Sequence, residues 1–498
     1  MLFNSVDYIF FFLPVTLSVY IFTGKSLGHV ASLCVLVIAS FFFYGWWDSS
    51  YLWLLAGSIF VNYLTGYLIS LRFLEKGQRR CLLAIGIIIN LALIFYFKYA
   101  YFLIENLSFI TGKKYAFSSA VLPLGISFFT FQQIAYLIDV YHEKINHSLI
   151  KYSLFICFFP QLIAGPIVHH RDVLPQFTNN TKTRLISQDL AVGLTIFVIG
   201  LVKKVLIADS VAKIANPAFA TAAAGESPAL IVAWSATLAY TLQLYFDFSG
   251  YSDMAIGAAR LFGIRLPANF NSPYKATDIS DFWRRWHITL SNFLRDYLYI
   301  PLGGNQKGES RRAVNLMITM LLGGLWHGAG WTFILWGGLH GVYLVINQNW
   351  RRLLKVLGQS PRNLPMWRRR LSGLLTFLAV MAGWVLFRSE NIAAAGNMFR
   401  AMVVIDSGIG ELPAVKTLAQ ILIALGIAWF LPNTQEWLKR YEPVLKHHMT
   451  ESNTSEISKA VWSWKPSSSV GFTIGAVLFI AVRQLLQALE SEFLYFNF

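Results

Sequence analysis

Apolar residues in this chain come in runs about as long as a bilayer is thick, and polar residues come in short clusters between them. The pattern predicts helices over about 6–23, 29–47, 51–71 and 81–104, then 186–209 and 228–246, and finally 313–329, 331–349, 371–388, 414–431 and 470–489. Each is near the roughly 20 apolar residues that cover a hydrocarbon core. The stretch Val121 to Tyr141 carries Pro123, Gly125, Thr130, Gln132 and Gln133. It is apolar enough to enter a bilayer, but polar enough to need protein or a cavity beside it. Between Phe158 and Pro166, Pro160, Gly165 and Pro166 are spaced to break a helix at membrane depth. His169-His170-Arg171 follows and reads as an interfacial polar turn rather than a metal site.

The segment 264–312 is too polar to span. It holds Lys275, Arg284, Arg285, Arg295, Lys307, Arg311 and Arg312, and belongs at the cytoplasmic face, lying along the surface or dipping inward. After it, 313–329 and 331–349 form a hairpin broken at Trp326-His327-Gly328-Ala329-Gly330. Both flanks of the hairpin are basic. Its turn therefore holds His327 far from the cytoplasm, since 15 helical residues rise about 22 Å. The basic loop 72–80 puts the N-terminus outside, and parity puts the C-terminus outside as well.

Composition sharpens the class. Only 13% of residues are charged, against 56% hydrophobic, whereas a soluble domain carries about 25% charge. The expectation is an all-α polytopic membrane protein, one membrane domain over 1–498 with no soluble domain. Its contacts with membrane lipids follow directly. The net charge of +16 sits in short loops, which is the positive-inside pattern and excludes nucleic acid as a partner. The first apolar run lacks a basic leader and a small-residue cleavage site, so it reads as a retained helix. Cys34, Cys81 and Cys157 fall within apolar runs and read as small core residues, and no metal is expected.

The sequence has no phosphate-binding glycine loop and no His-Glu-x-x-His. What remains is histidine in apolar surroundings. A buried imidazole is held neutral, which suits it to take a proton from a hydroxyl as the oxygen attacks an acyl carbon. Gly323, Gly324, Gly328 and Gly330 flank His327 and allow close approach, and Trp326 can wall a pocket. The alternative for His327 is a buried histidine bonded to a carbonyl across a helix pair, and both readings stand. For His340, within Gly337-Gly338-Leu339-His340-Gly341, the packing reading prevails. Asp247 and Asp253, at or close to membrane depth, read as helix caps or arginine partners.

Four segments carry a resemblance. These are Pro160 to Pro166, Gln243 to Asp253, Phe282 to Asn305, and Leu321 to Gly328. Together they resemble the membrane-bound O-acyltransferases, and specifically the bacterial branch that O-acetylates alginate and peptidoglycan. The resemblance implies about 11–13 transmembrane helices, plus re-entrant or interfacial ones, around a central tunnel. It implies His327 as the catalytic histidine and His287 as the second, on the cytoplasmic or re-entrant segment. Trp283, Arg284, Arg285 and Arg295 become candidate contacts for the donor, since guanidinium binds phosphate bidentately. Positive-inside topology alone explains the same arginines equally well. Trp326, Gly328, Asp247 and Asp253 become candidate tunnel linings.

The C-terminal Phe493-Leu494-Tyr495-Phe496-Asn497-Phe498 resembles the acyl-shuttle hexapeptide of that branch. The implied activity is export of acetyl groups from cytoplasmic acetyl-CoA, through Tyr495, to a periplasmic transferase of the SGNH type. That partner would modify a cell-envelope or exported polysaccharide. The implied location is the bacterial inner membrane, with no permanently bound cofactor. Two other readings keep their place: a proton-coupled transporter using the aspartates and histidines as a relay, and an acyltransferase that modifies a lipid or protein directly.

Overall fold

The computed structural model describes residues 1–116, 121–143, 145, 147–163, 165–178, 187–359, 365–405, 408–411, 413–445, 464–487 and 493–494. The described residues are 78% helical, with no strand among them, as the apolar periodicity predicts. Among the described residues, six helical stretches are long and apolar enough to cross a membrane unaided: Asp7–Ser26, Ser49–Ser70, Lys76–Thr111, Ser187–Ala223, Met366–Arg388 and Ser468–Gln487. His29–Gly45 and Val415–Phe430 are shorter apolar helices. Outward-facing side chains such as Trp53, Phe109 and Phe472 are more than 80% exposed. Apolar groups turned outward to that degree fit a hydrocarbon solvent rather than water.

Several helices run further than the apolar pattern alone suggests, because polar residues find partners inside the helix or across the protein. The helix predicted over 81–104 extends over Lys76–Thr111. Its start is set by a capping box in which Glu75 and Gln78 satisfy each other's backbone N–H groups, and its end by Gly112 at φ +66°. The helix predicted over 186–209 continues to Ala223 through a π-helical turn at Lys203–Ala208. The helix predicted over 228–246 is a 32-residue rod, Leu230–Leu261. Asp247 and Asp253 therefore lie inside it and cap nothing, and both are buried.

The chain folds as two units that interleave in sequence. The first comprises Met1–Leu201, Tyr251–Ala268 and Trp437–Glu492, and the second Val202–Gly250, Asn269–Glu436 and Phe493–Phe498.

In the first unit, the stretch expected to enter the bilayer with polar baggage is the helix Ile126–Glu143, and Thr130, Gln132, Gln133 and Asp139 are buried on it. Gln133 Oε1 accepts from the Ser58 hydroxyl and the Asn62 amide, each at 2.8 Å, and the Asn90 amide donates to Asn62 Oδ1 at 2.6 Å. Such side-chain bonds hold membrane helices together at about 0.6–1.7 kcal/mol each. Asn90→Leu is therefore expected to lower the unfolding midpoint in a detergent denaturation series by one or two such bonds. An unchanged midpoint would count against the clamp.

The break anticipated at 158–166 is also present. The helix Leu149–Cys157 stops at Phe158, and the freed backbone is satisfied by protein: the Phe159 N–H donates to Ser40 Oγ and the Gln161 amide donates to the Phe155 carbonyl. His170 is no interfacial turn. It is buried, with Nδ1 3.1 Å from Asp139, while Arg171 pairs with Glu143. Helices cross closely at Gly193 and Gly257, where a Cβ on Gly257 would meet the Gly193 carbonyl and the Phe197 backbone. Of the cysteines, Cys157 is buried as expected, Cys34 is half-buried, and Cys81 lies exposed on an outer helix face rather than in the core.

Candidate active site

All the geometry here belongs to the second unit. Two short pieces of backbone build its floor. The Asn271 N–H donates to the Arg285 carbonyl, and the Ile288 N–H donates to the Asn269 carbonyl, each at 2.9 Å. These bonds force a corner between the helices Ile279–Arg285 and Ile288–Leu294, and His287 occupies it at φ +42°. A left-handed backbone at a residue other than glycine costs on the order of 1 kcal/mol or more, and it survives only where the surroundings impose it.

The imposed side chain is fully buried. His287 Nδ1 lies 3.1 Å from Asn269 Oδ1, and that oxygen also accepts from the Thr289 hydroxyl and, at 3.4 Å, from the Thr289 N–H. A backbone N–H can only donate, which fixes which atom of the Asn269 amide is oxygen. Nδ1 therefore carries a proton, and Nε2 is the nitrogen able to accept one. Burial pushes the His287 imidazole down to about 3, so the ring is neutral at physiological pH.

The other histidine arrives on the hairpin Glu309–His327 and Trp331–Val356. The two helices pack through glycines: a Cβ on Gly324 or Gly337 would collide with the carbonyl of Phe333 or Met320. His327 is the last residue of the first helix and is 3% exposed. Its ring meets Trp326 and Trp336 at 5.0 Å and Phe387 at 5.2 Å between centroids. The His287 and His327 rings stand 6.4 Å apart, with Trp326 against both. Gly328 begins the break in extended conformation, and a side chain there would strike the Phe333 ring, so it acts through packing. His340 is fully buried, packed against Trp336 and Trp283 and closed off by Gly383.

The donor-binding candidates divide. Trp283 packs edge-on against Trp336. Arg284 is exposed. Arg285 is engaged with Asp281 at 3.0 Å, and Arg295 grips Asp296 through two bonds of 2.7 and 3.0 Å. Binding a phosphate would require the last two to exchange a carboxylate, leaving Arg284 as the most available guanidinium.

Asp247 pairs with a lysine rather than the expected arginine. Lys204 Nζ is 2.6 Å from its Oδ1 and 3.0 Å from Asp209 Oδ1. Asp247 Oδ2 accepts from the backbone N–H of Leu494 at 3.1 Å. Beside it, Phe248 touches both the His287 ring, at 4.8 Å, and the buried Phe493 ring, at 5.4 Å. Asp253, further along the same helix, falls in the first unit. Tyr495 lies outside the described residues. No group of three or more metal-ligating side chains occurs among the described residues.

Sequence reasoning missed Asn269, Phe248, Trp336, Phe387 and Lys204. A polar Asn269-Phe270-Asn271 ahead of the aromatic cluster was one available signal. Another was a lysine pair, Lys203-Lys204, inside a helix too apolar to end there.

The MBOAT, membrane-bound O-acyltransferase family, matches residues 17–379. The chain is 43% identical over 430 residues to the peptidoglycan O-acetyltransferase of Helicobacter pylori, covering 81% of this chain and 80% of that protein. It is 44% identical over 408 residues to a probable alginate O-acetylase of Pseudomonas aeruginosa, covering 81% and 75%. A probable alginate O-acetylase of Pseudomonas putida is 37% identical over the full length of both chains. The two histidines thus sit in a chain whose relatives bear acyl-transfer names, and that chain is a multi-pass membrane acyltransferase belonging to the membrane-bound O-acyltransferase family.

Proposed function

We infer that this protein takes an acetyl group from cytoplasmic acetyl-CoA and passes it through Tyr495 to a periplasmic transferase, which O-acetylates a cell-envelope or exported polysaccharide. The bacterial inner membrane is the corresponding location. The names of the relatives, peptidoglycan O-acetyltransferase and probable alginate O-acetylase, support peptidoglycan or alginate as the final acceptor class. The observation that carries the reading is the meeting of three sequence-distant parts: His287 and His327 at 6.4 Å, with the Phe493 end of the tail against the same Phe248 that contacts His287. The approach of the two histidines also favours a 264–312 segment that dips inward over one lying flat.

The chemistry asks for one base and two ester exchanges. His327 removes the phenolic proton of Tyr495 as the oxygen attacks the thioester carbonyl. The C–S bond breaks, and the departing thiolate of coenzyme A takes up the proton. An acetyl-tyrosine and free coenzyme A result. His287, neutral through burial, orients the thioester or shares the proton. A phenol, with a pKa of about 10, is a better leaving group than an alkyl alcohol, so a serine on the partner can take the acetyl group and regenerate the tyrosine. Arg284 and Trp283 are the first candidates to meet the nucleotide end of the donor.

The test is direct. Purified protein incubated with labelled acetyl-CoA should carry an acetyl ester on Tyr495, found by peptide mass spectrometry, and His327→Ala should not. Label on co-purified lipid with none on Tyr495 would refute the relay.

A further inference from the structure

We propose that the buried Lys204–Asp247 pair is the dock for the C-terminal tail, and that Asp247 is the positioning residue that sets the register of Tyr495. This rests on the reading of Tyr495 as the acyl carrier.

An ion pair buried this deeply seldom repays its own desolvation, so its mere presence is poor evidence for a stabilising role. The carboxylate of Asp247 is 1% exposed and divides its oxygens between two tasks. Oδ1 faces Lys204 at 2.6 Å, and Oδ2 takes the Leu494 N–H at 3.1 Å. An amide donating to a carboxylate makes a charge-assisted bond, stronger than an amide–amide bond. Lys204 is held from the far side by Asp209 at 3.0 Å, on the π-helical turn Lys203–Ala208 that brings its amine to this point. The lysine thus keeps the carboxylate ionised and aimed while leaving one oxygen for the tail.

The neighbouring residue completes the dock. Phe493 is 1% exposed and packs on Phe248 at 5.4 Å, and Phe248 meets the His287 ring at 4.8 Å. Two consecutive residues of the 230–261 helix therefore read two consecutive residues of the tail. Phe248 takes the Phe493 ring and Asp247 takes the Leu494 main chain. A main-chain bond fixes register irrespective of the Leu494 side chain, and the next residue in the chain is Tyr495. A shift by one residue would carry the tyrosine about 3.3–3.6 Å along the chain, enough to miss a proton acceptor.

The experiment uses the full-length protein in detergent with labelled acetyl-CoA. It reads acetyl-Tyr495 formation and, independently, the exposure of Phe493 by hydroxyl-radical footprinting. Leu494→Pro removes the donated N–H, along with the leucine side chain and the φ freedom there, and leaves the buried pair intact; Leu494→Ala keeps the N–H, and Asp247→Ala removes the acceptor. Leu494→Pro and Asp247→Ala should each raise Phe493 oxidation and cut Tyr495 labelling about tenfold or more, as loss of a charge-assisted bond predicts. The double variant should be no worse than either single one, and Leu494→Ala should keep Phe493 protected. Should Asp247→Ala fail to fold, Leu494→Pro against Leu494→Ala still decides. Unchanged oxidation and labelling in Leu494→Pro, or equal losses in Leu494→Ala, would overturn the dock while leaving the relay intact. An unlabelled Tyr495 in the wild type, with Phe493 released only in Leu494→Pro and Asp247→Ala, would sink the relay and support the dock.

Discussion

His327→Phe is expected to reduce acetyl transfer by about 10²–10⁴-fold, the usual contribution of a positioned general base, while the protein remains folded. The choice of phenylalanine separates chemistry from packing. The ring of His327 fills a buried space bounded by Trp326, Trp336 and Phe387, at 5.0–5.2 Å between centroids. Alanine there would leave a cavity, and cavities in packed cores cost several kcal/mol by themselves. Phenylalanine occupies the space and offers no lone pair. The measurement is the rate of acetyl-Tyr495 formation alongside a thermal melt in the same detergent. A melt within a few degrees of the wild type and a rate reduced by two or more orders of magnitude is the expected pair of results. Wild-type transfer in His327→Phe would remove this histidine from the chemistry altogether.

The second large effect is expected at Asn269, a residue that acts through His287. Its Oδ1 accepts from His287 Nδ1, the Thr289 hydroxyl and the Thr289 N–H, and Asn269 is fully buried. Asn269→Leu would strand these donors at about 1–3 kcal/mol for each buried group left unsatisfied. It would also release the tautomer of His287. Transfer should fall about 100-fold, a loss of about 2.7 kcal/mol, with a lower melting temperature. Asn269→Asp is more informative, because it keeps an acceptor oxygen and adds a charge. In the wild type, burial pushes His287 down to about 3, so its protonation contributes nothing to the pH profile between about pH 5.5 and 8. A carboxylate against Nδ1–H favours the imidazolium and moves that value up. As pH falls through the raised value, Nε2 takes a proton and can no longer act as an acceptor. Activity of Asn269→Asp should therefore show an acidic fall that the wild type lacks. A profile superimposable on the wild type would mean that Asn269 does not control His287.

These two sites differ in how far they could be read from the chain. His327 stands out because an ionisable group within sequence apolar enough for lipid is costly to keep there. That signal is local and needs no neighbour. Asn269 has no such signal. It lies 18 residues before His287, and only the corner made by the Asn271–Arg285 and Asn269–Ile288 backbone bonds brings the two together. Asp247 is intermediate: its depth was visible, but its partner was not. An arginine was the expected counter-ion, and the structure supplies Lys204, 43 positions earlier and the second residue of a π-helical turn. Hydrophobic periodicity averages the environment over a window and cannot choose between distant polar partners. For the same reason it ended the 230–261 helix at about residue 246, where polar residues begin, although Asp247, Ser249, Ser252 and Asp253 are buried inside the protein.

By itself, the amino-acid sequence determined that this is a helical protein built for a bilayer, because the length of an apolar run and the charge of the loops between runs are one-dimensional quantities. It also singled out the histidine in lipid-compatible surroundings, and the aromatic tail. The tertiary structure alone decided that His287 and His327 stand ring to ring, that an asparagine sets the tautomer of one of them, and that a buried lysine–aspartate pair receives the backbone of the tail. Those outcomes depend on which donors and acceptors meet once helices pack, and a desolvated polar group is satisfied by whatever the fold brings within about 3 Å.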